Sequence, residues 1–249
     1  MVAEQRYNEI LEHLNQAGSL TIRQISALLG VTRETIRRDL KHLSELGELT
    51  QVRGGALAIK QREPDIADRS DVNADGKNHI ANIAKKFVTD GMSILMDSGS
   101  TALAISRGLE DFENLTIITN DFTIARIARC QKHKVIVLGG EMSQSDFGTC
   151  SIETIEAVKT YQVNIAFVGV GGLSEQALVT DYSQIAAYLR ATMIKQAEQS
   201  FFVVDQTKFA KVTPIRVPDP NLATGIIVDK MPDKLIMERI NEINLEVYN

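Results

Sequence analysis

Two groups of residues could do chemistry, judging by their types and spacing. Arg33, Arg37 and Lys41 stand at i, i+4 and i+8, which puts three cations on one face of a helix. Ile36, Leu40 and Leu43 fall on another face and can seat that helix in a core. A helix packed by one stripe and basic on another is suited to a DNA groove, where it meets phosphates and base edges. Arg33 and Thr35, nearer the N-terminus, are the expected readers of sequence. The second group is Asp97-Ser-Gly-Ser-Thr101. Gly99 allows close backbone approach, three hydroxyls surround it, and Ala102-Leu-Ala-Ile-Ser-Arg107 begins a helix whose free N–H groups point back at the loop. Such a site suits a phosphate or sulfate. Lys208, in Asp205-Gln-Thr-Lys208, is a further anion partner.

The elements that must position the basic stripe are legible around it. Tyr7, Ile10, Leu11 and Leu14 follow helical spacing, and Gly18 fits the stop of that helix. Thr21 and Gln24 form a capping box, with Leu20 and Ile25 as its hydrophobic staple. Thr32 caps the next helix, where Val31 and Ile36 repeat the staple. Only Gly30-Val31 separates the two helices, short enough for a helix-turn-helix. Glu34 and Arg38 are spaced as an i, i+4 pair, and Asp39 is placed to orient a neighbouring arginine. Beyond Leu46-Gly47, Glu48–Val52 and Ala56–Ile59 can pair across Arg53-Gly54-Gly55. That makes a wing with Arg53 at its tip, able to reach a phosphate or the minor groove.

The stretch Lys60–Asn78 is polar, with one proline, and reads as a linker. A helix through Ile80, Ile83, Ala84 and Phe87 can begin inside it and ends at Asp90-Gly91. From there apolar runs at 93–96, 115–119, 135–138, 165–170, 201–204, 225–228 and 243–247 alternate with helical patterns near 101–109, 122–130, 151–160, 183–199 and 232–241. This alternation predicts a mainly parallel sheet covered by helices. Loops after the carboxyl ends of parallel strands share one edge, where ligands bind. The turn Gly169-Val-Gly-Gly172 lacks the third spaced glycine and the later acid of a dinucleotide fingerprint and reads as a strand-end turn. The expected division is residues 1–59 for DNA binding, 60–78 as linker, and 79–249 as an α/β domain that binds an effector.

Composition sets limits on the function. The 249 residues suffice for two moderate domains, and 44% apolar content makes the chain globular. Net charge is −5, but residues 1–60 hold eight Lys/Arg against seven Asp/Glu. The positive charge is local to one helix and the wing, so nonspecific DNA binding is expected to be modest and salt-sensitive. Cys130 and Cys150 have no metal-ligand spacing and read as free thiols. No apolar leader or membrane span is evident. The expectation is a cytoplasmic protein without metal or cofactor.

These strings resemble the DeoR family of bacterial transcriptional regulators over essentially the full length. In the first part the likeness lies in Thr35-Ile-Arg-Arg-Asp-Leu40, Leu43, Gly47 and Val52-Arg-Gly-Gly-Ala56. In the second it lies in Asp97-Ser-Gly-Ser-Thr101, Thr119-Asn120, Leu138-Gly-Gly140, Phe167-Val-Gly169 and Asp205-Gln-Thr-Lys208. The resemblance implies a small winged helix-turn-helix joined to a larger α/β domain related to ribose-5-phosphate isomerase. It implies a repressor of carbohydrate genes that senses a phosphorylated sugar or related metabolite. Carried over, Ser98, Gly99, Ser100 and Thr101 would hold the phosphate. Asn120, Gly140 and Gly171 would line the pocket, Asp205 and Lys208 would meet sugar or phosphate, and Arg190 occupies a position often basic. Ala177 stands where glycine is common. Thr21, Arg33, Glu34, Thr35, Arg37, Arg38, Lys41 and Arg53 form the expected DNA surface. Reading two half-sites of double-stranded operator DNA needs a homodimer or homotetramer. The alternative is an active sugar-phosphate isomerase with a DNA-binding appendage. It would need a carboxylate base, with Asp97 and Asp205 as candidates and Ala186 where a second acid is expected.

Overall fold

The computed structural model describes residues 2–17, 19–52, 54–58, 63–143 and 145–249. The chain divides into two compact units, Met1–Arg62 and Glu63–Asn249.

In the first unit, α1 (Ala3–Ala17) leads through β1 (Ser19–Thr21) into α2 (Ile22–Leu29) and α3 (Arg33–Glu45). The capping box forms: Gln24 N donates to Thr21 Oγ1 and Thr21 N to Gln24 Oε1. Gly30 ends α2 at φ 64°, a left-handed position that suits glycine. Thr32 caps α3 through Thr35 N. The wing strands are β2 (Leu49–Val52) and β3 (Gly55–Ala58), and β1 joins them in the order β1-β3-β2, all antiparallel. A Cβ at Gly55 would stand 2.9 Å from Thr21 Cα, so glycine there lets β1 and β3 approach. Ile10, Leu14, Ile25, Ile36, Leu40, Leu43 and Leu49 fill the core. The wing tip, Arg53, and the stop residue Gly18 lie outside the described residues.

The second unit begins earlier than the sequence reading placed it. Residues 66–71 form α4 (Ile66–Asp71), which the sequence reading lacked, and α5 (Ala74–Ala84) starts inside the linker as the helical spacing allowed. Polarity was a poor guide here because α4 buries no side chain. It is held by hydrogen bonds and ion pairs instead.

Beyond α5 the chain alternates strands with helices. In order come β4 (Ser93–Met96), α6 (Ser100–Arg107), β5 (Thr116–Thr119), α7 (Phe122–Cys130), β6 (Lys134–Val137), α8 (Ile152–Val158) and β7 (Val163–Val168). After them come β8 (Gly172–Leu173), β9 (Val179–Asp181), α9 (Gln184–Lys195), β10 (Ala197–Val204), β11 (Ile215–Arg216), β12 (Gly225–Val228), α10 (Lys234–Glu242) and β13 (Glu246–Tyr248). Seven strands pair in the order β13-β12-β10-β7-β4-β5-β6, every pair parallel. Alternate residues face opposite layers. Ile94, Met96, Ile165, Phe167, Phe201 and Val203 pack with α5, α6 and α7. Leu95, Ala166, Val168, Phe202 and Val204 pack with α8, α9 and α10. Burial on both faces explains why these strands read as continuous apolar runs.

Two readings of periodicity need correction. The helix expected over 183–199 ends at Lys195, and residues 197–200 already belong to β10, paired with β7. A small antiparallel sheet, β11-β9-β8, has no counterpart in the expected pattern. Its β8–β9 turn holds Ala177 at φ 55°, with Ala177 N bonded to Ser174 O and Leu178 N to Ser174 Oγ.

The salt bridge that seats α3 is Asp39 with Arg6 of α1: Arg6 Nε and Nη2 donate to the carboxylate at 2.5 and 2.9 Å, and Asp39 is 3% exposed. Asp39 therefore orients an arginine, one contributed by another helix. Asp39→Asn is expected to destabilise the first unit by about 1.5–3 kcal/mol, the scale of hydrogen bonds to charged groups. Amide exchange in the full chain should quicken across α1 and α3 and stay unchanged in α5–α7. Unchanged protection of α3 would show the pair to be dispensable.

Candidate functional site

On α3 the residues Arg33, Glu34, Arg37, Arg38 and Lys41 are exposed and Thr35 is half-buried. Arg37 Nη1 lies 3.1 Å from Glu34 Oε2, and Lys41 lies 3.8 Å from Glu45. Glu34 thus pairs with Arg37 at i+3; the expected pairing with Arg38 does not form, because both positions neighbour Glu34 on the helix surface. Arg33 and Arg38 make no ion pair among the described residues. Thr35 Oγ1 is bonded to Thr32 Oγ1 at 2.9 Å, and Thr21 Oγ1 to Gln24, so both hydroxyls serve helix starts in the free protein.

In the second unit the strand order reverses between β4 and β7. Connections from β4 run outward to β5 and β6 on one side, and β7 begins the other side. The crevice beyond the carboxyl ends of two such strands is where open parallel sheets bind ligands. A cleft lies there, lined by Ser98, Gly99, Ser100, Thr101 and Ala102 after β4 and by Gly169 and Val170 after β7. Val203, Asp205 and Lys208 from the end of β10, Arg190 of α9, and Glu63 and Arg69 complete it.

The loop after β4 forms because Gly99 adopts φ 123°, closed to other residues. The helices α2, α3, α7, α8, α9 and α10 each have a side-chain N-cap; α6, facing the cleft, has none. Its first N–H groups are left to a ligand or water. Asp97 sits beneath the loop, 1% exposed. Its Oδ1 accepts from Ser98 N at 2.9 Å, and its Oδ2 accepts from Gly169 N at 3.0 Å and Arg190 Nε at 2.8 Å. Arg190 also pairs with Asp181. Burial works to lower the Arg190 pKa, but the charges of Asp97, Glu63 and Asp146 and the bond to Asp97 hold it above its ordinary value. Asp205 is buried and caps the turn Gln206–Lys208, accepting from Thr207 N and Oγ1 at 3.0 and 2.5 Å.

Lys208 is half-buried and makes no ion pair among the described residues. Burial, with nearby Lys211, pushes its ammonium down to about 8. A desolvated cation in no ion pair among the described residues, beside an uncapped helix N-terminus and three hydroxyl residues, is an arrangement an oxyanion would neutralise.

The structure therefore gathers Ser98, Gly99, Ser100, Thr101, Arg190, Asp205 and Lys208 in one cleft. Three expected lining residues stand elsewhere. Asn120 Nδ2 is bonded to Thr149 O, and its buried Oδ1 has no partner among the described residues. Gly140, at φ 143°, packs against Ser151 and Thr154 at the start of α8. Gly171 N bonds Thr180 O beside β9. Asn120 and Gly140 follow β5 and β6, outside the β4–β7 pair, while Gly171 follows β7 itself but is bonded to β9. Glu63 and Arg69 escape the sequence reading because they lie in the stretch read as solvated linker. Asp146, which accepts from Ser98 Oγ at 3.2 Å behind the cleft, lies in an irregular loop without periodicity to mark it. Among the described residues no three His, Cys, Asp or Glu side chains gather as metal ligands, and no helix is long and apolar enough to cross a membrane.

A helix-turn-helix unit followed by a parallel α/β unit with a polar cleft defines a two-part DNA-binding regulator. Comparison with known proteins agrees. Residues 6–62 match the DeoR-like helix-turn-helix domain, and residues 72–230 the DeoR C terminal sensor domain. The chain is 31% identical over 212 residues to the uncharacterized HTH-type transcriptional regulator YulB of Bacillus subtilis, covering 84% of this chain and 82% of that one. It is 26% identical to the glycerol-3-phosphate regulon repressor of Haemophilus influenzae, covering 93% and 91%. Ribose 5-phosphate isomerase A of Methanocaldococcus jannaschii superposes with a TM-score of 0.40 at 22% identity, over 55% of each chain. The chain belongs to the DeoR family of transcriptional regulators.

Sulfate, whose charge is fixed across the range, reports Lys208 directly. The free lysine is charged below pH 8, and a bound anion favours the charged form. Sulfate affinity should therefore be level below pH 8 and fall as pH rises above it. The same lowered pKa makes this group favour the free folded state increasingly between pH 8 and lysine's ordinary 10.5. Calorimetric titration from pH 6 to 10 checks it, and an affinity level throughout would take Lys208 out of the anion site.

Proposed function

We propose that this protein represses carbohydrate-metabolism genes, and that a phosphorylated sugar or related metabolite bound at the β4–β7 cleft alters its hold on operator DNA. The observation that carries this reading is the cleft itself. It brings together an uncapped helix start, the side chains of Ser98, Ser100 and Thr101, and an unpaired, desolvated Lys208. The name of the Haemophilus influenzae relative, a glycerol-3-phosphate regulon repressor, points to the same ligand chemistry.

The DNA surface is α3, with Arg33, Thr35, Arg37, Arg38 and Lys41 facing the groove and Glu34 orienting Arg37. Thr21 contributes beside the start of α2, and Arg53 from the wing. Operators read as two half-sites call for at least a homodimer. Binding without turnover is favoured over isomerisation by what the two candidate bases do. Asp97 is saturated by Ser98 N, Gly169 N and Arg190, while Asp205 accepts from Thr207 N and Oγ1 through Oδ1. Asp97 is thereby committed to structure, and Ala186 occupies the position of the expected second acid.

Two variants test the two halves of this reading, using genomic fragments selected by the wild-type protein. Arg37→Ala should weaken binding by about 1–3 kcal/mol on selected fragments if it reads a base, and equally on random DNA if it meets only phosphate. Unchanged binding to both, in a folded variant, would take α3 out of the groove. The double variant Ser100→Val, Thr101→Val should bind the fragments normally and lose its response to a panel of pentose, hexose and glycerol phosphates. A normal response would remove the cleft as sensor. Proton NMR of the same panel should show no isomer formation.

A further inference from the structure

We propose that Arg69 is a second ligand of the anion and the residue through which occupancy of the cleft is passed toward the DNA-binding unit; this rests on the cleft being the sensor site. Arg69 belongs to α4, the first helix of the second unit, which starts four residues after the first unit ends at Arg62. The side chain is 13% exposed and lines the cleft. Its Nη1 lies 2.7 Å from Glu63 Oε1, its Nη2 pairs with Asp146, and its buried Nε has no partner among the described residues. A Cβ at Gly99 would come within 3.9 Å of Nη1, so the guanidinium stands over the anion loop.

The partners of Arg69 are what an incoming anion would displace. Asp146 accepts from Arg69 with one oxygen and from Ser98 Oγ with the other. It occupies donors that a phosphate at Ser98–Thr101 would need. Glu63 holds the other arm of Arg69 and is itself bonded by Ser145 Oγ at 3.1 Å. A dianion beside these two carboxylates repels both and offers Arg69 a bidentate partner in their place. Burial already pushes the Asp146 carboxyl up to about 6, so its charged form is weakly held.

Moving Arg69 bears directly on α4, which packs against α6 but buries no side chain and has no side-chain cap. Its other polar ties include Ile66 N to Ser145 O at 2.8 Å and Lys77 Nζ to the carbonyl of Arg69. Exchange of Arg69 between carboxylates and anion therefore gives the two states that coupling requires. The chain carries the difference directly toward the DNA-binding unit.

The test uses the full-length protein with inorganic phosphate, glycerol 3-phosphate and glucose 6-phosphate, following affinity by calorimetry and amide exchange over residues 63–72. Arg69→Gln should weaken binding about 10–100-fold, the loss of a charge-assisted contact. Glu63→Gln should tighten it by removing a competitor, and wild-type exchange over 63–72 should change on binding. If Arg69→Gln does not fold, Arg69→Lys, which keeps the charge and loses the fork, should show the same direction of loss. Should Lys208→Met weaken anion binding while Arg69→Gln or Arg69→Lys binds as wild type and exchange over 63–72 does not move, the role of Arg69 is overturned and the site stands. If none of the three anions binds the wild type, both readings fall.

Discussion

The cleft depends on one buried cation. Arg190, 5% exposed, reaches from α9 to Asp97 at the end of β4 and Asp181 at the end of β9, and a Cβ on Gly169 at the end of β7 would come within 4.0 Å of its Nη2. Burying an unpaired guanidinium would cost several kcal/mol. Two carboxylates and a fixed fork geometry offset that and lock three chain segments into one arrangement. That lock decides the state of α6. Asp97 is drawn down to Arg190 and Gly169 N, and Gly99 at the N-cap position has no side chain, so the start of α6 stays open to the cleft.

Charge in the cleft is then divided by how far each group is already committed. Arg190 is spent on structure. Arg69 is held by Glu63 and Asp146, contacts of a kind a phosphate can replace. Lys208 is in no ion pair among the described residues, with Asp205 and Glu63 acting only from a distance, and bears the cost of burial in its lowered pKa. An anion therefore gains most from Lys208 and from the α6 N–H groups. This grading comes from geometry and burial together. Composition alone, with its acidic excess beyond residue 60, gives no hint of a site for anions.

Much of this is readable from residues because local rules and the fold agree. Thr21, Gln24, Gly30 and Thr32 specify their helix ends by side-chain chemistry, and the structure realises each. The runs at 93–96, 201–204 and 225–228 are apolar on both faces and fall where strands form. What is not readable is tertiary. Residues 197–200 continue a helical pattern and become strand because β7 lies alongside to accept pairing. Arg69 and Asp146 are 77 residues apart, and no local spacing marks them as partners. Asn120 and Gly140 share the strand-end signature of the residues that line the cleft. Only the strand order tells which ends meet at the reversal.

The DNA-binding unit is subject to the same reasoning about committed charge. Of the cations on α3, Arg37 and Lys41 are engaged with Glu34 and Glu45 on their own helix, while Arg33 and Arg38 make no ion pair among the described residues. Exposed pairs of this kind are worth little, about 0.3–0.5 kcal/mol, so a phosphate can take Arg37 from Glu34 at small cost. Glu34 would then remain near the backbone and oppose indiscriminate binding. Each copy thus offers few phosphate contacts, and the counterion-release gain grows with their number. With α3 in a groove, a single copy would grip arbitrary DNA weakly, and discrimination would rest on base edges rather than on charge.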